Sequence, residues 1–168
     1  MTKMRFQVQD PLQKGYSYIG TEPEGKNFAP DFHPDLTPKQ MLRLGVFGGN
    51  YFEGEIEEFP SEWFTLAKLS DTHDIELNFF KIGASQSREE WQRQGWMHKD
   101  DPRGWFQWYC RYYLGRRLKE EDERQIKRWR QMVRHVAQIK HKCIPGNYSC
   151  NTRQRQALLH WAYDSRKM

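Results

Sequence analysis

Residues 101–117 read DPRGWFQWYCRYYLGRR. Trp105, Phe106, Trp108, Tyr109, Tyr112 and Tyr113 are set among Arg103, Arg111, Arg116 and Arg117. A hydrophobic core takes the rings and rejects unpaired guanidinium groups; a solvated face does the reverse. Any fold of this chain has to house both within one short segment. Asp101 followed by Pro102 reads as a helix N-cap with proline at the first helical position, and the segment predicts a helix to about Leu118. On that helix Trp105, Trp108, Tyr109 and Tyr112 recur at i, i+3, i+4 and i+7, a single face expected to be buried. Arg103, Gln107 and Arg111 form another row, and Phe106, Cys110 and Tyr113 lie between. Six rings exceed what one helix face usually buries. Spare rings from Trp105, Tyr109, Tyr112 or Tyr113 beside arginine make a platform that stacks bases and neutralises phosphates.

Charge divides the chain. Residues 1–84 carry 8 Lys/Arg and 13 Asp/Glu; residues 85–168 carry 19 and 9. The overall net charge of +5 therefore hides an acidic half and a basic half, and six of the seven tryptophans lie in the basic one. Such asymmetry points to an anionic partner. The mean hydropathy of −1.01 and the lack of a long apolar run exclude a transmembrane helix. The N-terminal MTKMRFQVQDPLQKGYSYIG lacks the apolar core of a secretory signal, so an intracellular location, cytoplasmic or nucleoid/nuclear, is expected.

The periodic pattern predicts a mainly α, compact multi-helix domain with an irregular N-terminal arm and at most a minor sheet. Residues 1–36, punctuated by Pro11, Gly15, Gly20, Pro23, Gly25, Pro30 and Pro34, form the arm; residues 37–168 form the helical domain. Thr37 and Pro38 open a helix that Gly45 closes. Ser61 caps a short helix carrying Trp63, Phe64, Leu66 and Leu69. The segment IELNFFKIG reads as a strand or extended chain, and Ser87 caps a further helix. A long helix runs from about Glu120 to His141, with Ile126, Trp129, Val133, Val136 and Ile139 as its buried stripe. A last helix begins after Asn151 or Thr152.

Cysteine number argues against a disulfide framework. Cys110, Cys143 and Cys150 are expected as reduced thiols, and no spacing of Cys or His fits a metal site. No phosphate loop, dinucleotide fingerprint, nucleophile elbow or zinc-protease motif is present, and no cofactor is expected.

His160 and Asp164, at i, i+4 near the C-terminus, are the candidate acid–base pair, since a carboxylate orients an imidazole and raises its basicity. The stretches LGVFGGNYFEGEIEEFP, DPRGWFQWYCRYYLGRR and RQRQALLHWAYDSRK together resemble a family of conserved hypothetical proteins. The resemblance spans roughly residues 35–166, implies one intact domain and carries over no catalytic role. The leading functional expectation is a nucleic-acid-binding domain, DNA included. Arg103, Arg111, Arg116, Arg117, Arg128, Arg130, Arg134, Arg153 and Arg155 would contact phosphates. Two alternatives stand beside it. One is an enzyme whose arginine-rich pocket takes a small phosphorylated or carboxylated ligand or modified nucleotide; the other is a protein-interaction module.

Overall fold

The computed structural model describes residues 3–84, 90, 93–95 and 98–168. It is mostly helical, with one two-stranded sheet. The helix expected after Ser87 lies outside the described residues. The chain opens on an antiparallel hairpin of β1 (Met4–Gln7) and β2 (Ser17–Gly20), in the register Met4↔Gly20 to Gln7↔Ser17. Helix α1 covers Pro38–Leu44, α2 Trp105–Tyr113, α3 Lys119–Gln131, α4 Val133–Lys142 and α5 Thr152–Leu159.

Local chemistry sets most boundaries. Thr37 caps α1 in a reciprocal box with Gln40, and Gly45 closes it in the left-handed region, as the sequence predicts. Helix α2 starts later than Asp101, at Trp105, because Asp101 turns its carboxylate inward and Gly104 breaks the path at φ 102°. The long helix of the basic half is interrupted at Met132, where His135 N donates to Met132 O in a tight i→i−3 turn. That break redistributes the predicted stripe. Ile126, Trp129 and Ile139 are buried, whereas Val133 is 58% exposed. The helix expected after Ser61 is a single 3-10 turn, Ser61–Phe64, which buries Trp63 and leaves Leu66 and Leu69 outside. The segment from Ile75 forms a 3-10 turn rather than a strand.

The expected irregular arm is woven into the domain. Val8, Tyr18, Phe32 and Leu36 are buried. The Phe32 ring is a hub, with centroids 5.0–6.3 Å from those of Trp105, Trp108, Tyr109, Tyr112 and Trp129. Thr21 N donates to Gly115 O, and Gly20 bridges Arg116. Gly115 is required there: at φ 108°, an added Cβ would stand 2.1 Å from Glu22 O. Proline and glycine in the arm mark turns between core-contacting segments rather than loose chain.

The cysteines also differ from expectation. Cys143 and Cys150 form a disulfide that closes the turn between α4 and α5, while Cys110 is a buried free thiol. The turn-rich IPGNYS segment between them lets the two Cα atoms approach to 5.8 Å, within bonding reach.

Candidate nucleic-acid interface

Every ring of α2 has a structural task. Trp105, Phe106, Trp108, Tyr109 and Tyr112 are buried, and only Tyr113 is half-buried. Their polar ends are satisfied. Trp105 Nε1 donates to Gln125 O at 3.2 Å, Trp108 Nε1 to Asp122 Oδ1 at 2.8 Å, and Tyr109 Oη to Leu36 O at 2.6 Å. Tyr112 Oη accepts from Ala29 N at 2.8 Å. Buried Trp and Tyr that find such partners hold a core together and give it a fixed geometry. Of the four rings expected to stack bases, Trp105, Tyr109 and Tyr112 are thus enclosed by the fold. Tyr113 packs edge-on against Phe28, Trp63 and Tyr109.

The arginines of the same segment turn inward too. Arg103 clasps Asp10 with two bonds, Nε–Oδ2 2.6 Å and Nη2–Oδ1 3.0 Å, and reaches Glu53 at 2.8 Å. Arg111 clasps Glu58 and donates to Asp101 Oδ1; Arg116 donates to the other oxygen of Asp101 at 2.6 Å. The Arg111 guanidinium also lies over the rings of Tyr16 and Tyr18, 5.2 and 5.4 Å from their centroids. Burial by itself would lower the Arg111 pKa, but the Glu58 and Asp101 carboxylates raise it, so the group stays charged. Burial likewise pushes the Asp10 carboxyl up, and the bonds from Arg103 and Leu12 with the Arg103 charge more than reverse that. Asp10, Glu53 and Glu58 come from the acidic half. A large part of the charge asymmetry is therefore neutralised inside the domain, where buried ions require partners.

Arg155 is a different case. It is fully buried and donates to the carbonyls of Cys150, Ser165 and Met168, which ties the disulfide turn to the last residues. Arg117 covers the Tyr112 ring at 3.8 Å and donates to the carbonyls of Tyr112, Arg116, Lys26 and Asn27. Arg103, Arg111, Arg116 and Arg155 are thus spent on internal acceptors rather than offered to a ligand.

His160 and Asp164 do not converge. Asp164 caps the final 3-10 turn and accepts from Arg166 at 2.8 and 2.9 Å. The His160 ring packs on Phe47, with centroids 4.7 Å apart, and lies 3.4 Å from Gln156 Nε2. Burial drives its pKa down to about 4; a bond to Val46 backbone opposes this and the His73 charge adds to it. A neutral, enclosed imidazole without its carboxylate is a packing residue rather than an acid–base pair. Elsewhere His98 contacts Asp100, and Asp101 is committed to its two arginines. Among the described residues no cluster of three or more His, Cys, Asp or Glu could hold a metal ion.

What remains outside is the surface of α3, α4 and the start of α5. No Asp or Glu occurs between Glu123 and Asp164. Lys127, Arg134, Lys140, Lys142 and Arg153 are exposed, and among the described residues no carboxylate pairs with them. Arg128 is half-buried over the Trp161 ring, and Arg130 pairs with Asp31. Helices α4 and α5 are joined side by side, with Gln154 Nε2 contacting His135 Nδ1 at 2.8 Å and Gln138 Oε1 at 2.5 Å. The disulfide turn beside them exposes Ile144 at 74% and Tyr148 at 39%. The sequence signal for this surface was present in the acid-free run, but the denser arginine–aromatic run of α2 outweighed it.

No protein-family model, curated protein or solved structure matches the chain. Among the described residues no helix is long and apolar enough to cross a membrane.

Proposed function

We propose that the protein binds single-stranded nucleic acid through the α3–α4–α5 surface. The observation that carries this reading is the set of exposed cations, Lys127, Arg134, Lys140, Lys142 and Arg153, without a carboxylate partner among the described residues, on a stretch free of acidic residues. Arg103, Arg111 and Arg116 are paired with carboxylates inside the domain, so this exposed surplus is what a phosphate backbone would neutralise. Tyr148 in the disulfide turn packs edge-on against Phe79 and Phe80 and keeps 39% of its surface exposed, and that exposed part is the ring surface we assign to stacking an unpaired base. The arginines and rings of α2 support the surface from within by fixing α3 against the core.

Fluorescence anisotropy with a labelled single-stranded oligonucleotide tests the reading. Replacing Arg134, Lys142 and Arg153 together by alanine removes binding and leaves the melting temperature near that of the parent protein. Unchanged affinity in that variant contradicts the proposal.

A further inference from the structure

On the side of the domain formed by the acidic half, a pocket of 560 Å³ opens between the turn after α1 and the extended segment 67–71. Its wall turns on a run of left-handed positions that glycine makes possible. Gly45, Gly48, Gly49, Glu53 and Gly54 all have φ between 51° and 86°, a run of left-handed positions within ten residues. At Gly45 an added Cβ would sit 1.9 Å from Leu77 O, and at Gly49 3.0 Å from Ser70 N, so the turn lies directly against the segment opposite. Backbone bonds fix that approach: Lys68 N donates to Leu42 O and Ser70 N to Gly49 O. Asn78, almost fully buried, accepts from Gly48 N and donates to Ile82 O. Glu53, the one non-glycine of the left-handed run, is held by Arg103. Of these positions only Glu53 is sterically strained, since glycine takes the left-handed region freely.

The lining has a consistent chemistry. Val46, Phe47, Phe52 and Phe64 supply apolar and aromatic wall. Lys68 and Asp71 stand on the rim, both exposed, and among the described residues neither has an ion-pair partner, not even each other. The Asn50 amide lines the same space and has no side-chain hydrogen bond among the described residues. The hollow joins this apolar wall to a polar lining of comparable extent that includes Asn50, Lys68, Ser70 and Asp71, and its size is in the usual range for a small-molecule site.

We infer that this pocket binds a small zwitterion with an apolar or aromatic tail, of which a free aromatic amino acid is the simplest example. The tail fills the space between Phe47, Phe52 and Phe64, Asp71 accepts from the ammonium group, and Lys68 with Asn50 donates to the carboxylate. Glu53 lines the pocket too, but Arg103 neutralises it, so a cation alone or an anion alone satisfies only one of the two remaining charges, Asp71 and Lys68. The site lies apart from the α3–α4–α5 surface and does not depend on nucleic-acid binding.

Calorimetric titration of the full chain with L-phenylalanine, 2-phenylethylamine and 3-phenylpropionate tests this. L-Phenylalanine binds saturably at one site per chain, and each analogue, lacking one charge, binds at least tenfold more weakly. Asp71→Asn and Lys68→Met each weaken L-phenylalanine about tenfold while the melting temperature holds, since both side chains are exposed. Absence of saturable binding by all three compounds overturns the inference. So does equal affinity for phenylalanine and either analogue, or unchanged affinity in both variants.

Discussion

Arg111 and Glu58 are 53 residues apart in sequence and face each other through two parallel bonds, Nε–Oε2 at 2.8 Å and Nη2–Oε1 at 3.0 Å. Both side chains are buried, and Tyr18 Oη donates to the same Glu58 at 2.6 Å. The pair fastens α2 to the acidic half and to the hairpin at once. Removing one member leaves an uncompensated charge in the interior, which costs about 3–5 kcal/mol. Arg111→Ala and Glu58→Ala should therefore each lower stability by an amount of that order in urea unfolding. The double variant Arg111→Met with Glu58→Met should recover much of the loss. Additive losses in the double variant would show that the two charges are not coupled.

The N-terminal segment should prove indispensable. Deleting the first 20 residues removes Val8, Tyr18 and the Asp10 partner of Arg103, leaving Arg103 buried and half-satisfied. The truncated chain should be insoluble or lack a cooperative melt. Phe32→Ala, within the arm but beyond the deletion, should cost about 3–5 kcal/mol because its ring touches six others, Phe28 among them. A truncated chain that melts cooperatively near the parent temperature would contradict this.

Two buried groups give opposite pH dependences. Burial lowers His160 to about 4, below its unfolded value of about 6.5, so the fold favours the neutral ring. Its contribution is complete above pH 6.5 and is lost as pH falls toward 4. Asp122 is raised to about 6, chiefly by burial, with the bonds from Trp108 and Leu118 opposing. The fold favours its protonated form, so stability falls as pH rises from about 4 through 6. Each shift corresponds to about 3 kcal/mol. His160→Gln should lose stability as pH rises from 4 to 6, and Asp122→Asn should gain it over the same range. Denaturant midpoints at several pH values read both signs directly.

The disulfide should be visible chemically. Native protein should show no rapidly reacting thiol, because Cys143 and Cys150 are bonded and Cys110 is enclosed. Full denaturation without reductant should release one thiol per chain, and with reductant three. Reduction should lower stability by about 2 kcal/mol, the order expected for closing a short loop. Three reactive thiols in the denatured, unreduced protein would remove the bond.

Much of the helical framework was legible in the chain. The Thr37–Pro38 cap, the Gly45 stop, the i, i+3, i+4, i+7 face of α2 and the start of α5 all follow from local rules acting within a few residues. The fate of the arginines was not legible. Arg103 and Arg111 find their carboxylates at Asp10, Glu53 and Glu58, about 50 to 90 residues away in sequence, and no local pattern announces such pairing. The arm was misread for a related reason. Its Pro and Gly residues mark turns faithfully, but burial of Val8, Tyr18 and Phe32 depends on surfaces that only the folded second half provides. The disulfide depended on the turn geometry between α4 and α5 rather than on cysteine number.

The central claim is that phosphate is read by the exposed cations of α3–α5 and not by the arginines of α2. Oligonucleotide affinity measured from 50 to 300 mM salt tests it most directly, comparing the parent with Arg134→Ala, Lys142→Ala and Arg153→Ala. The account predicts steep weakening with salt. Each single variant should shallow the log–log slope by roughly 0.7, the single-strand value for one lost phosphate contact. No binding at 50 mM salt, or a slope unchanged in all three variants, would contradict it.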